Sequence, residues 1–183
     1  MNKFSYKIPY VNLGRQNRPF QKKFSNLLKS FLVEGSFILG EHVSKFEKKF
    51  SKYIGTKYAV GVGSGTDALY LSLRYLNLNK DDEVITVSNS YLSTVSSIVL
   101  AGAKPVLVDV NYNDYNIDIH QIEKKITKKT KAIMPVHLTG NPCNMTKIYN
   151  LAKKYKLKII EDSAQAIGAS FDNKKVGTFG EFG

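Results

Sequence analysis

Three short stretches of this chain combine residue types that do chemistry only at particular spacings. The first is Gly61-Val62-Gly63-Ser64-Gly65-Thr66-Asp67-Ala68-Leu69. A β-branched run enters glycines, then Thr and Asp, then a helical pattern. Glycines let the backbone come close to a ligand, and the free N–H groups of a helix start attract an anion, typically a phosphate. Thr66 reads as a cap for that helix, with a hydroxyl to offer the phosphate. A dinucleotide site does not fit. Counted from Gly61 and Gly63, the last glycine of G-x-G-x-x-G falls on Thr66, and the second strand ends Thr86-Val87-Ser88-Asn89 without the acidic residue such a site uses. A simple turn with an N-cap satisfies the same residues.

The second stretch is Ser88-Asn89-Ser90-Tyr91-Leu92-Ser93-Thr94, where an aromatic opens a helix. Tyr91 there is placed either to stack on a planar ring or to pack the helix start. The third is Ile159-Ile160-Glu161-Asp162-Ser163-Ala164-Gln165-Ala166-Ile167-Gly168. A buried strand ends in a carboxylate, followed three residues later by a carboxamide. A buried acid without a partner is costly, so Asp162 needs a cation or a set of donors. A protonated ring nitrogen, a structural salt bridge and a cap on the following turn all qualify. A phosphate, a flat ring and a basic ring nitrogen in one molecule describe pyridoxal 5'-phosphate.

The elements that must position these residues follow from the apolar pattern. Tyr58–Val62, Glu83–Val87, Pro105–Val110, Ala132–Val136 and Leu157–Ile160 read as strands, apolar on most residues as strands buried on both faces are. Between them, Asp67–Leu76, Tyr91–Ala101, Ile119–Ile126 and Met145–Tyr155 read as helices, after Phe20–Leu32 and Glu41–Phe50. The expected fold class is α/β, a mostly parallel sheet flanked by helices with right-handed crossovers. In such sheets ligands bind beyond the carboxyl ends of the strands, where all three stretches fall. Residues 1–57 are expected to be an N-terminal helical segment and residues 58–183 the first part of a larger α/β domain.

Composition removes other classes. The 183 residues are 43% hydrophobic, too apolar for a disordered chain even at a net charge of +12. The best apolar run, Ser97 to Val108, is broken by Gly102, Lys104 and Pro105, so no membrane span is expected. Met1 to Gly14 shows no apolar core of a secretory signal, and the lone Cys143 cannot close an intrachain disulfide; a cytoplasmic setting fits. Of the 27 basic residues 24 are Lys, and scarce Arg argues against dedicated nucleic-acid recognition. Residues 1–58 carry 12 basic and 3 acidic side chains, much of it on amphipathic helices, which reads as a solvated lysine face. No metal-ligand spacing is present.

Further runs extend the pattern: Ile8-Pro9-Tyr10-Val11-Asn12-Leu13, Phe37-Ile38-Leu39-Gly40, Asp82-Glu83-Val84-Ile85-Thr86, Gly102-Ala103-Lys104-Pro105-Val106 and Pro135-Val136-His137-Leu138-Thr139-Gly140. With the three stretches above, in this order and spacing, the chain resembles the DegT/DnrJ/EryC1/StrS family of sugar aminotransferases, pyridoxal-phosphate enzymes of fold-type I. The resemblance implies that Gly65, Thr66 and the Asp67 backbone hold the cofactor phosphate. It implies that Tyr91 stacks on the ring, Asp162 pairs with the pyridinium nitrogen and Gln165 lies near the ring's phenolic oxygen. His137 falls within a family motif and is expected to pack or cap. Members carry a Schiff-base lysine shortly after the segment that reads Gly177-Thr178-Phe179-Gly180-Glu181-Phe182-Gly183 here. That lysine is expected beyond Gly183, along with the later strands and the C-terminal small domain, so the 183 residues alone are expected to be inactive. The implied reaction moves an amino group from a donor such as glutamate to a nucleotide-linked keto sugar, in a homodimer serving cell-surface polysaccharide or related sugar biosynthesis. The alternatives are a pyridoxal-phosphate-dependent sugar dehydratase, in which His replaces that lysine, and a catalytically inactive Lys-rich binding module.

Overall fold

Helices fill the N-terminal part of the chain, as its 3.6-residue apolar spacing requires. The computed structural model describes residues 8–35 and 37–183. Residues 1–7 and Ser36 of the expected helical segment lie outside the described residues. Helix α1 (Leu13–Asn17) is capped by Asn12, whose side chain accepts from the Arg15 N–H at 2.9 Å. A 3-10 turn, Arg18–Phe20, leads into α2 (Gln21–Glu34), which ends at Gly35 in the left-handed region (φ 66°). Helix α3 (Glu41–Ile54) follows. The described residues form two compact units divided after Lys45.

The larger unit is an α/β layer structure. After α4 (Gly65–Tyr75) the chain alternates β1 (Glu83–Val87), α5 (Leu92–Leu100), β2 (Lys104–Val108), α6 (Ile119–Lys125), β3 (Thr130–Met134), α7 (Met145–Tyr155) and β4 (Lys158–Ile159). A small antiparallel hairpin, β5 (Ser170–Phe171) and β6 (Lys174–Lys175), lies outside the main sheet. The four main strands are all parallel, in the order β2-β1-β3-β4. Both faces are covered, and alternate residues serve opposite faces. Val84, Ala132, Met134 and Ile160 pack with Leu69 and Leu73 of α4 and Ile98 of α5. Ile85, Ile133 and Ile159 pack with Ile122 of α6 and with Met145, Ile148 and Ala152 of α7. That two-sided burial is why the strands are apolar on nearly every residue. Pro105 sits inside a strand at no cost, because β2 is an edge. The Lys104 N–H points to β1, reaching the Asp82 carbonyl at 2.8 Å, so the nitrogen of Pro105 faces away from the ladder.

One expected strand is absent. Tyr58–Val62 forms no ladder with any described strand, and Tyr58 and Val60 are 71% and 76% exposed. β-branched residues hold strand geometry when a neighbouring strand takes up their backbone groups. Here the Gly61 N–H instead reaches the Glu47 carboxylate at 2.7 Å. At the other side of the sheet, Ile160 bridges Phe182 in parallel, and the Glu181 N–H donates to the Ile159 carbonyl at 2.9 Å. Gly180 is obligatory in this approach, since a side chain there would run into the Ile159 carbonyl.

The topology defines a reversal. From β1 the chain moves outward to β2, returns to β3 on the other flank of β1, and continues outward to β4. Beyond the carboxyl ends of β1 and β3 lies the crevice where open parallel sheets bind ligands.

Candidate functional site

The start of α4 is built by Ser64, in place of the cap expected at Thr66. Ser64 has extended backbone (φ −160°, ψ 167°), its hydroxyl accepts the Asp67 N–H at 3.1 Å, and it donates to the Asp67 carboxylate at 2.9 Å. This reciprocal pair resembles a capping box and explains why the helix begins at Gly65, two residues earlier than the apolar pattern indicates. Thr66 is the second residue of the helix, half-buried. By helix geometry the Gly65 and Thr66 N–H groups are left without intrahelical acceptors. A side chain at Gly65 would meet nothing within 4 Å, so the space over this helix end is open.

The second helix start lies after β1. Tyr91 is the N-cap of α5, with extended backbone (φ −67°, ψ 147°) and a side chain 75% exposed that makes no capping bond. One turn on, Thr94 is completely buried and its hydroxyl donates to Asp162 Oδ2 at 3.1 Å. Asp162, 8% exposed, stands past β4 in a parallel bridge with Val136, two residues beyond the end of β3. Its other oxygen accepts only the Ala164 N–H, at 3.3 Å. Asp162 therefore has one donor on each oxygen and forms no ion pair with any Lys or Arg of the described residues. The first turn of α5 supplies a favourable dipole end to this carboxylate.

Gln165 closes the same crevice from the β3 side. Its carbonyl oxygen accepts the Thr139 N–H at 2.7 Å, leaving both amide hydrogens without a partner among the described residues, and the His137 N–H bonds the Asp162 carbonyl at 3.1 Å. Asp162 is thus tied by hydrogen bonds to α5 through Thr94 and to the 137–139 loop through His137, and Gln165 meets the same loop at Thr139. Gly65, Thr66 and Asp67 share no hydrogen bond with them.

Behind this layer lies a buried network. His137, with no exposed surface, accepts the Cys143 N–H on Nδ1 at 3.0 Å. Its proton therefore sits on Nε2, which donates to Glu161 Oε2 at 3.1 Å. Glu161 also accepts the N–H groups of Gly177 (2.8 Å), Phe179 (2.6 Å) and Gly180 (2.9 Å). His137 packs and orders neighbours, as expected of it. The Cys143 thiol, pushed up to about 12 by burial, donates to the Val136 carbonyl and stays protonated. Among the described residues no group of three or more His, Cys, Asp or Glu is arranged to hold a metal, and no helix is long and apolar enough to cross a membrane.

Comparison with known proteins decides the family. Residues 19–183 match the DegT/DnrJ/EryC1/StrS aminotransferase family over most of the chain. The chain belongs to this family. Among its DegT/DnrJ/EryC1/StrS relatives, the dTDP-3-amino-3,6-dideoxy-alpha-D-galactopyranose transaminase of Aneurinibacillus thermoaerophilus is 47% identical over 174 residues, covering 95% of this chain and 48% of the relative. The crystal structure of S. venezuelae DesV in complex with a ketimine intermediate superposes with a TM-score of 0.91 at 35% identity, over 94% of this chain and 47% of DesV. A GDP-4-keto-6-deoxymannose-3-dehydratase holding a trapped PLP-glutamate geminal diamine matches at 0.81 and 36% identity, over 85% of this chain and 42% of that one. The chain spans about half the length of the relatives it matches. The α/β fold with a parallel sheet is the fold of these pyridoxal-phosphate aminotransferases.

Sequence reasoning in this DegT/DnrJ/EryC1/StrS chain missed Ser64, Thr94 and Glu161. Ser64 carried a local signal, the Ser-x-x-Asp spacing of a capping box. Thr94 and Glu161 carried none, because their partners are distant in sequence.

Proposed function

We propose that these residues are the N-terminal portion of a pyridoxal-phosphate-dependent aminotransferase acting on nucleotide-linked keto sugars. The observation that carries this reading is Asp162: a buried carboxylate without a cation among the described residues, beside a helix start, at the ligand edge of a parallel sheet. A protonated ring nitrogen supplies the missing positive charge. The open space over Gly65 supports a phosphate held by the N–H groups of Gly65, Thr66 and Asp67, the Asp67 N–H turning from Ser64 to do so. Exposed Tyr91 would offer its face to the ring, and the Gln165 amide hydrogens, unpartnered among the described residues, would donate to its phenolic oxygen. Pyridoxal 5'-phosphate supplies, when bound, an electron sink for breaking the bond between the substrate carbon and its hydrogen. The residues present here bind and orient the ring; residues 58–183 form the first part of the cofactor-binding domain and residues 1–57 a helical segment before it. The amino donor is glutamate or a similar amino acid. The full-length protein is a cytoplasmic homodimer in polysaccharide or related sugar biosynthesis, and the lone buried Cys143 suits that reducing compartment. No lysine among residues 1–183 is assigned the Schiff-base role, so these residues alone do not turn over. The dehydratase reading stands second, favoured by the structural match to such an enzyme.

Equilibrium dialysis with pyridoxamine 5'-phosphate tests the site without Schiff-base chemistry at surface lysines. Saturable binding is expected, weakened at least about tenfold by Asp162→Ala, the loss of roughly one charge-assisted contact. Binding that is absent at millimolar cofactor, or indifferent to Asp162→Ala, would overturn the assignment.

A further inference from the structure

Five helix serines of the described residues bond a carbonyl of their own helix, whereas two helix threonines, exposed Thr146 and buried Thr94, reach a carboxylate distant in sequence. Ser30, Ser51, Ser72, Ser96 and Ser97 each turn back to a carbonyl three or four residues earlier in the same helix. That is the default for Ser and Thr inside helices. Thr94 does not follow it. Its hydroxyl lies 3.1 Å from Asp162 Oδ2, 68 residues away in sequence, and 2.8 Å from Ser90 Oγ. Both Thr94 and Asp162 are buried. A carboxylate only accepts, so the single Thr94 proton goes to Asp162. Toward Ser90 the Thr94 oxygen must then accept, and Ser90 is the donor. The direction of the chain Ser90 to Thr94 to Asp162 is therefore fixed.

A β-branched side chain in a helix has few rotamers, and this one is enclosed on all sides. Thr94 is thus a rigid donor, anchored to the helix that Tyr91 caps. Asp162 sits beyond a two-residue strand, β4, and its second oxygen has only a long 3.3 Å bond from the Ala164 N–H. Without Thr94 nothing on α5 would set the plane of that carboxylate.

Resting on the cofactor reading above, we propose that Thr94 is a positioning residue for Asp162. Its hydroxyl, directed by Ser90, holds the carboxylate in the orientation from which it meets the ring nitrogen, and couples that orientation to the helix carrying Tyr91. Removing the hydroxyl while keeping the shape should leave the fold and the phosphate contacts intact and loosen the contact to the ring.

The experiment compares the wild-type chain with Thr94→Val and Thr94→Ser, using pyridoxamine 5'-phosphate labelled with nitrogen-15 in the ring. Two quantities are read: the dissociation constant by equilibrium dialysis, and the ring nitrogen-15 shift of the bound cofactor, which reports whether the nitrogen carries its proton. Thr94→Val is expected to bind about tenfold more weakly, the loss of one hydrogen bond to a charged group. It should also move the ring nitrogen shift toward the unprotonated value, while Thr94→Ser restores both. Circular dichroism and the urea midpoint check that Thr94→Val remains folded. If it unfolds, Ser90→Ala, which removes the director of the Thr94 proton, is expected to shift the same nitrogen signal by a smaller amount. A Thr94→Val chain that is less stable but binds with the wild-type constant and nitrogen shift would overturn the proposal, as would an unchanged shift in Ser90→Ala. Wild-type chain that fails to bind the cofactor overturns the cofactor reading and this inference together, which separates the two failures.

Discussion

Glu161 gathers one imidazole N–H and three backbone N–H groups onto two oxygens of a side chain with no exposed surface. A carboxylate is the only side chain that accepts at every one of these positions. In Glu161→Gln one oxygen can still serve Phe179 and Gly180, but the amide nitrogen then faces the N–H groups of His137 and Gly177. His137 cannot switch tautomer to help, because its Nδ1 is held by the Cys143 N–H. Two buried donors are left unpaired, so the substitution should cost at least about 2 kcal/mol, read as a lower urea midpoint. A midpoint unchanged from wild type would show that the network is not fixed as described. The contrast with Asp162 is one of legibility. Asp162, Tyr91 and Gln165 could be singled out in the sequence because each is a polar or aromatic residue next to a strand end, and burial makes such residues conspicuous. Glu161 and Thr94 stand beside them in the same motifs, yet their partners lie 16 to 24 and 68 residues away. No local spacing encodes such pairs.

At the scale of elements, pattern gave every helix of the α/β alternation and four of five expected strands, and the failure has one physical source. Tyr58–Val62 has the right composition for a strand, but composition describes a surface that fits a sheet and not the partner that completes it. Gly180–Gly183 is the converse case. It is not among the strands expected from the apolar pattern, yet it lies along Ile159–Glu161 because Gly180 lets the two backbones meet. Glu181 fastens this join: its carboxylate accepts the Ile159 N–H at 2.8 Å and pairs with Lys158 at 2.9 Å. Partial burial alone would raise its pKa, but the Ile159 bond and Lys158 together hold it below the ordinary value of 4.5. A carboxyl whose folded value is depressed stabilises the fold above its unfolded value, and that contribution is lost as the pH falls through the folded value. Urea midpoints measured between about pH 6 and about pH 3 should therefore fall for the wild type, and fall less steeply for Glu181→Gln. Parallel pH profiles for the two chains would show that Glu181 does not hold this edge.

For the molecule as a whole, the decisive property of the larger unit is that its parallel sheet is covered on both faces but only in its interior strands. Ile133, in β3, has β1 on one side and β4 on the other, lies against α7 on its face, and has no exposed surface. Leu107, in the edge strand β2, is 46% exposed although it is equally apolar. Hydropathy alone ranks the two together; strand order separates them. Truncating Ile133 leaves a cavity that a sheet fixed by ladders on both sides cannot close, so Ile133→Ala should cost about 2–5 kcal/mol. Leu107→Ala removes surface that is already half in water and leaves no enclosed void, so its cost should stay within about 1 kcal/mol. Chemical unfolding of both variants tests the strand order itself, because an arrangement with β2 inside the sheet and β3 at its edge would reverse the two values. The same asymmetry fixes where the ligand crevice can lie. Only between β1 and β3, the pair of fully flanked strands, do two neighbouring carboxyl ends open onto loops that run in opposite directions, and Ser90, Tyr91 and Thr94 come from one of those loops and its helix while His137 and Thr139 come from the other.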